Sequence, residues 1–289
     1  MSNLADIVPT FWRDLVEYAF WRHAVVGGLA TAAVCSLLSV YVVLRRMAFI
    51  GQGISHSALG GYALGILLFG STADAALRVD ATALVFCLGV AVLIALTTRH
   101  SKISEDSAIG IFFVASMALG AVFFKMAPGF NQDVYSYLFG SILALNKGQL
   151  WLTCGLAAVV ATPLLLLQKE LLYYTFDEEM AGVSGVPVNV LHFLLVALLS
   201  VTVIISARLV GILLVSAFLI LPGATAQLLT QRFNRMVVLS IMAGVLTTLV
   251  GLLLSHATDW PSGAAVVLVQ FAVFLVVFAI RKFQGLLSV

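Results

Sequence analysis

The chain has 289 residues, 62% of them hydrophobic and only 10% charged, with a mean hydropathy of +1.12. Soluble domains carry about 25% charged residues, so this composition excludes an ordinary soluble protein and indicates a polytopic membrane protein. A formal net charge of +2 is too small to imply a nucleic-acid partner. Cys35, Cys87 and Cys154 stand apart in apolar runs and suggest neither a disulfide framework nor a thiolate metal site.

Residues 1–20 interleave Phe11, Trp12, Leu15, Val16, Tyr18 and Phe20 with Arg13, Asp14 and Glu17. That pattern suits an interfacial helix lying on the bilayer or a disordered tail. The first apolar run follows this polar stretch and no small-residue cleavage site comes after it, so no removable signal peptide is expected. A span needs roughly 17–25 apolar residues. On that basis nine transmembrane helices are predicted, over 23–44, 53–70, 81–98, 107–127, 149–167, 188–205, 209–229, 236–255 and 263–281. Segment 128–148 is apolar only over 135–145, about half the length of a crossing, and reads as a re-entrant or surface helix. A full crossing there would invert the later topology and move Asp177, Glu178 and Glu179 to the outside.

The expected fold class is all-α, a polytopic membrane helix bundle forming one transmembrane domain over 1–289. With the N-terminus outside and the C-terminus inside, Arg45, Arg46, Arg99, Lys102, Lys169, Arg232, Arg235, Arg281 and Lys282 fall on the cytoplasmic side. These are nine of the fifteen Lys and Arg residues, a modest bias in the favoured direction.

The second span contains Phe49-Ile50-Gly51-Gln52-Gly53-Ile54-Ser55-His56-Ser57-Ala58-Leu59-Gly60-Gly61-Tyr62. An ionisable side chain inside a span usually faces a bundle interior or a water-filled path, so this histidine suggests transport. Gln52 and His56 are four residues apart and share a helix face with Gly60. Residues 176–187 form the other polar cluster, Phe176-Asp177-Glu178-Glu179-Met180-Ala181-Gly182-Val183-Ser184-Gly185-Val186-Pro187. It reads as a short cytoplasmic helix with acidic residues at its start and Gly and Pro at its end. Such a segment is either a knob that docks into a partner or an ordinary polar loop.

No GxxxxGK[ST] loop is present, so the chain does not itself bind ATP in that manner. HExxH and GxSxG are also absent, which argues against membrane hydrolase chemistry.

Five separated segments resemble one family, the ABC-3 permease subunits of ATP-binding-cassette importers for zinc, manganese or iron. The first is 45–58, Arg45-Arg46-Met47 through His56-Ser57-Ala58, similar to the family's stretch ending Gly-Asp-x-x-x-His. The others are 137–144 (Tyr137-Leu138-Phe139-Gly140), the acidic segment 176–187, the segment 208–226 with Leu221-Pro222-Gly223, and Asp259-Trp260-Pro261-Ser262-Gly263. They follow one another in family order across nearly the whole chain.

The resemblance implies a permease that is not itself an enzyme, in the cytoplasmic (inner) membrane, with no intrinsic cofactor. It implies a homodimer around one central path, two cytoplasmic ATPase subunits that bind the ATP, and an extracytoplasmic metal-binding protein that delivers a zinc or manganese ion. Segment 176–187 would be the coupling helix inserted into the ATPase, with Asp177, Glu178, Glu179, Ala181 and Gly185 forming or shaping that contact.

Imidazole suits zinc, manganese and iron, whereas an amide oxygen is a weak, hard ligand. Position 52 is usually Asp in the family and is Gln52 here, so a formal negative charge is missing. Asp259, the one acidic residue after position 179, is the expected replacement, with His256 three residues before it. The alternative makes Asp259 an N-cap of the last helix and His256 an interfacial residue. The expected metal-site set is therefore His56, Asp259, Gln52 and His256. Continuous helices would place His56 and Asp259 at opposite ends of the bundle, so they share an ion only if the backbone is broken or dips inward; otherwise they mark successive stations. His23, His100 and His192 read as interfacial or solvated. Competing functions are a permease for chelated iron or another small cofactor, and an ATPase-independent secondary transporter. The latter is disfavoured by the absence of paired mid-span charges.

Overall fold

The computed structural model describes residues 4–70, 75–101, 103–127 and 147–287. Among them there are thirteen helices and no strand. In chain order they are α1 (Leu4–Glu17), α2 (Ala19–Leu44), α3 (Ala48–Phe69), α4 (Ala76–His100), α5 (Glu105–Met126), α6 (Lys147–Leu166) and α7 (Gln168–Phe176). Then follow α8 (Glu178–Val183), α9 (Val188–Val210), α10 (Ile212–Phe218), α11 (Leu221–Leu229), α12 (Phe233–Thr258) and α13 (Ser262–Leu287).

Six helices are long and apolar enough to cross a membrane: α2, α4 over Leu77–Arg99, α5 over Asp106–Met126, α6, α12, and α13 over Ser262–Gln284. The chain is a multi-pass membrane helix bundle. The other three predicted spans correspond to α3, α9 and the pair α10–α11. α3 has 22 residues, roughly 33 Å at 1.5 Å per residue, but Gln52, His56 and its serines and glycines dilute its apolar character. The expected re-entrant stretch lies outside the described residues over 128–146, while Lys147 and Gly148 open α6.

α3 lies between α4 and α5. Small residues allow this close fit: a Cβ added to Gly120 would lie 3.0 Å from the Cα of Gly60, and one added to Gly60 would lie 2.7 Å from the Ser116 carbonyl oxygen. Side-chain hydroxyls in these apolar helices bond back to the preceding turn, as Ser55 does to the Gly51 carbonyl at 2.6 Å and Ser57 to Gly53 at 2.8 Å.

The seventh predicted span, 209–229, is not one continuous helix. Gly211, at φ 86, ends α9 in a conformation that favours glycine. α10 and α11 are then separated by a break at Leu219 and Ile220. Broken backbone inside a bundle needs substitute partners, and buried Ser39 of α2 provides them. Its Oγ accepts from the Gly223 N–H at 2.9 Å and donates to the Ile220 carbonyl at 3.3 Å.

Two polar regions mark the opposite ends of the bundle. At one end α1 lies against the start of α2 and the end of α12, with Phe11 buried beside Trp21. Residues 4–17 are therefore helical rather than a disordered tail. At the other end the Tyr41 ring meets Phe233 at 5.6 Å, and Arg45, Arg99 and Glu178 come together. Glu178 thus shares an end of the bundle with Arg45 and Arg99.

Candidate transport site

α2 and α3 are joined by a tight corner, with Arg45 capping α2 and Arg46 in the left-handed region at φ 59. The Met47 N–H closes back on the Val42 carbonyl at 2.9 Å, and α3 begins at once. Gln52 in its second turn is exposed; His56, one turn further on the same face, is half-buried. The His56 ring stands edge-on to Phe113 of α5, centroids 5.0 Å apart and planes at 86°.

Beside this face is an open groove of about 250 Å³ lined by Phe49, Gln52, Gly53, Asp106, Ile109, Gly110 and Phe113. α3 and α5 run parallel, so Asp106 lies level with Gln52 and Phe113 level with His56. Asp106 is exposed and supplies a carboxylate that the sequence reading did not include. At a helix start an acidic residue is commonplace, which hid it. The available signal was the spacing Asp106, Gly110, Phe113, which puts all three on one face. The groove thus combines an amide and a carboxylate, and its Phe113 wall contacts the His56 imidazole. Among the described residues no group of three or more His, Cys, Asp or Glu side chains within one chain could hold a metal ion.

Asp259 and His256 lie elsewhere. Asp259 is exposed and forms the left-handed C-cap of α12, at φ 54, so it does not N-cap the last helix, which begins at Ser262. His256 is turned toward α1 and α2: its Nε2 lies 3.5 Å from Asp14 Oδ2, and its ring meets Trp21 at 5.1 Å and Phe11 at 5.7 Å. α12 has 26 residues, roughly 39 Å of helix, and its start lies beside Tyr41 near the α2–α3 corner. The structure therefore brings Gln52 and Asp106 to one groove, with His56 against its Phe113 wall, and leaves Asp259 and His256 at the far end of the same protomer.

The acidic segment forms α8. Asp177 is its N-cap, its Oδ1 accepting from the Met180 N–H at 2.9 Å. Ala181 is buried, and Gly185 has φ 84 in the turn that follows. Phe176, Met180 and Val183 project outward at 65%, 52% and 84% exposure, beside exposed Glu179. Glu178 instead turns inward: Oε2 is 2.8 Å from Arg45 Nη2 and Oε1 is 2.6 Å from Arg99 Nη1. Burial pushes its carboxyl up, but Arg45 and Arg99 outweigh that and hold it below the ordinary glutamate value. Arg45 also lies 4.0 Å from the Tyr174 ring centroid, and the Tyr174 hydroxyl shares a 2.8 Å hydrogen bond with His192 Nδ1. His192, expected at an interface or in solvent, is only 2% exposed.

Fold and site together define a transport-type membrane protein, with a polar groove along one helix pair and a knob projecting from one end. The model of the ABC 3 transport family matches residues 17–281, and the chain belongs to that family. The manganese transport system membrane protein MntC of Halalkalibacterium halodurans is 36% identical over 100% of this chain and 95% of its own length. The manganese import system permease protein ScaB of Streptococcus parasanguinis is 32% identical, with 96% of each chain covered. Among solved structures, PsaBC from Streptococcus pneumoniae, in complex with Fab, superposes with a TM-score of 0.82 at 31% identity, covering 94% of this chain and 95% of that one. As a permease of this family the chain is a translocation component and not itself an enzyme.

Proposed function

We propose that this chain is the permease subunit of an ATP-driven importer that moves a divalent transition metal ion, manganese before zinc, across the cytoplasmic membrane. The observation that carries this reading is the α3–α5 groove lined by Gln52 and Asp106, with His56 packed against the Phe113 that closes one side of it. Oxygen donors with one imidazole suit manganese, and the absence of thiolates there removes a feature that would favour softer metals. Relatives that are manganese permeases support the same cargo.

Two copies would form a homodimer around one path, so that a sparse donor set from each copy holds the ion weakly enough to release it. In this scheme the chain crosses nine times, with the N-terminus outside and the C-terminus inside. An extracytoplasmic metal-binding protein delivers the ion at the end carrying Asp259, which acts as an entry station, while His56 and Asp106 act nearer the cytoplasm. His256 has a structural task and is not a ligand within this scheme. Two cytoplasmic ATPase subunits bind ATP and receive Phe176, Asp177, Glu179, Met180 and Val183 as the coupling surface, with Ala181 and Gly185 shaping it. ATP-driven closure of the ATPases alternates access to the two sides.

The test is uptake into proteoliposomes holding the complete complex, with manganese, zinc and ferrous iron in competition. Manganese should compete best, and Asp259→Ala should weaken uptake. ATP-independent uptake, or preference for a chelated metal, would overturn the proposal.

A further inference from the structure

The Glu178 carboxylate is the junction of three chain segments. One oxygen binds Arg45 at the α2–α3 corner and the other binds Arg99 near the end of α4, at 2.8 and 2.6 Å. Arg45 makes two more contacts with the segment before the knob: Nη1 donates to the Tyr174 carbonyl at 3.2 Å, and the guanidinium covers the Tyr174 ring. Tyr174 in turn reaches α9 through His192. With both oxygens engaged, Glu178 has little left to offer a partner; the outward groups of the knob are Phe176, Glu179, Met180 and Val183.

The corner that receives this clamp is stiff. The Arg45 N–H bonds the Tyr41 carbonyl at 2.9 Å, Met47 N–H bonds Val42, and Ile50 N–H bonds Met47 at 3.0 Å. Gln52 follows Arg45 by seven residues along this unbroken chain of bonds. α4, held through Arg99, also packs against α3. A displacement of α8 therefore reaches the start of α3 through two ion pairs rather than along the intervening chain. The negative charge is essential to the arrangement, because without it two guanidinium groups face each other across a partly buried space.

We propose that Glu178 is a positioning residue that locks the knob to the α2–α3 corner and the end of α4, so that movement of the knob is transmitted to Gln52 and His56. This rests on the reading of the knob as the ATPase contact. It assigns Glu178 a task different from docking, and gives Arg45 and Arg99 the same task.

The experiment uses the assembled complex in proteoliposomes, measuring manganese taken up per ATP hydrolysed. Glu178→Gln and Arg45→Gln should each lower that ratio by about fivefold or more, the range of a typical coupling free energy, while the complex stays assembled and hydrolyses ATP. The double variant should be no worse than either single one, as residues of one network are non-additive. An unchanged ratio would overturn the proposal. So would loss of the ATPase from Glu178→Gln but not from Arg45→Gln, which would make Glu178 a docking contact.

A second readout does not depend on the cargo. Spin labels at Arg46→Cys and Ser184→Cys, in a chain with Cys154→Ser, should give one narrow distance that broadens in Glu178→Gln. Identical distributions would refute the clamp. Absence of manganese uptake by the unaltered complex would refute the cargo reading alone, and the label distances would still decide the clamp.

Discussion

Ser39 and Ser36 provide a controlled test of what holds the broken helix in place. Both are on α2, fully buried and within one turn of each other, but only Ser39 has its hydroxyl engaged: Ser36 Oγ has no hydrogen-bond partner. Ser39→Ala removes the acceptor for the Gly223 N–H and a weaker donor to the Ile220 carbonyl. A buried unsatisfied backbone group costs about 1–3 kcal/mol, and the long 3.3 Å bond to Ile220 adds less, so a loss of about 2–3 kcal/mol is expected. In a chain of this size that corresponds to roughly 4–10 °C in Tm. Ser36→Ala removes a buried hydroxyl that has no partner and so relieves an unsatisfied group, leaving stability unchanged or raised. Thermal unfolding in detergent, followed by intrinsic fluorescence, compares the two. Equal losses would show that volume rather than hydrogen bonding matters at these sites, and would refute the role given to Ser39.

Gly60→Ala should lose about 1–3 kcal/mol, because the new methyl group would lie 2.7 Å from the Ser116 carbonyl oxygen; the same unfolding assay checks it, and an unchanged Tm would show that α3 and α5 can part freely. The depressed Glu178 carboxyl makes its ion pairs stabilising above the ordinary glutamate value, with that contribution lost as pH falls through the lower folded value. Glu178→Gln should therefore flatten part of the acid limb of a stability-against-pH curve, and an unaltered limb would contradict the assignment. Phe11→Ala should loosen α1 from Trp21 and His256, seen as faster limited proteolysis within residues 4–17; unchanged cleavage would mean that other contacts hold α1.

Much of this bundle was readable in the sequence, because a membrane span is a long apolar run and the loops between spans are punctuated by Arg, Asp and Gly. The Gln52–His56 face was legible for the same reason: two polar residues four apart contrast sharply with an apolar background. The break at Gly211 and Ile220 was not, since a uniformly apolar run carries no periodicity to interrupt. Asp106 was missed because its meaning depends on the parallel alignment of α5 with α3. The partners of His256 come from residues 11, 14 and 21, and those of Glu178 from 45 and 99. Pairings over such sequence distances follow from three-dimensional packing rather than from local spacing.

The most direct test of the transport reading is ATP-dependent manganese uptake by the complete complex carrying His56→Ala or Asp106→Asn. The α3–α5 groove as the cation path predicts a loss of about tenfold or more for each, the effect of roughly 1.4 kcal/mol, with the complex assembled and ATP hydrolysis intact. Uptake at the unaltered rate in both variants would contradict it.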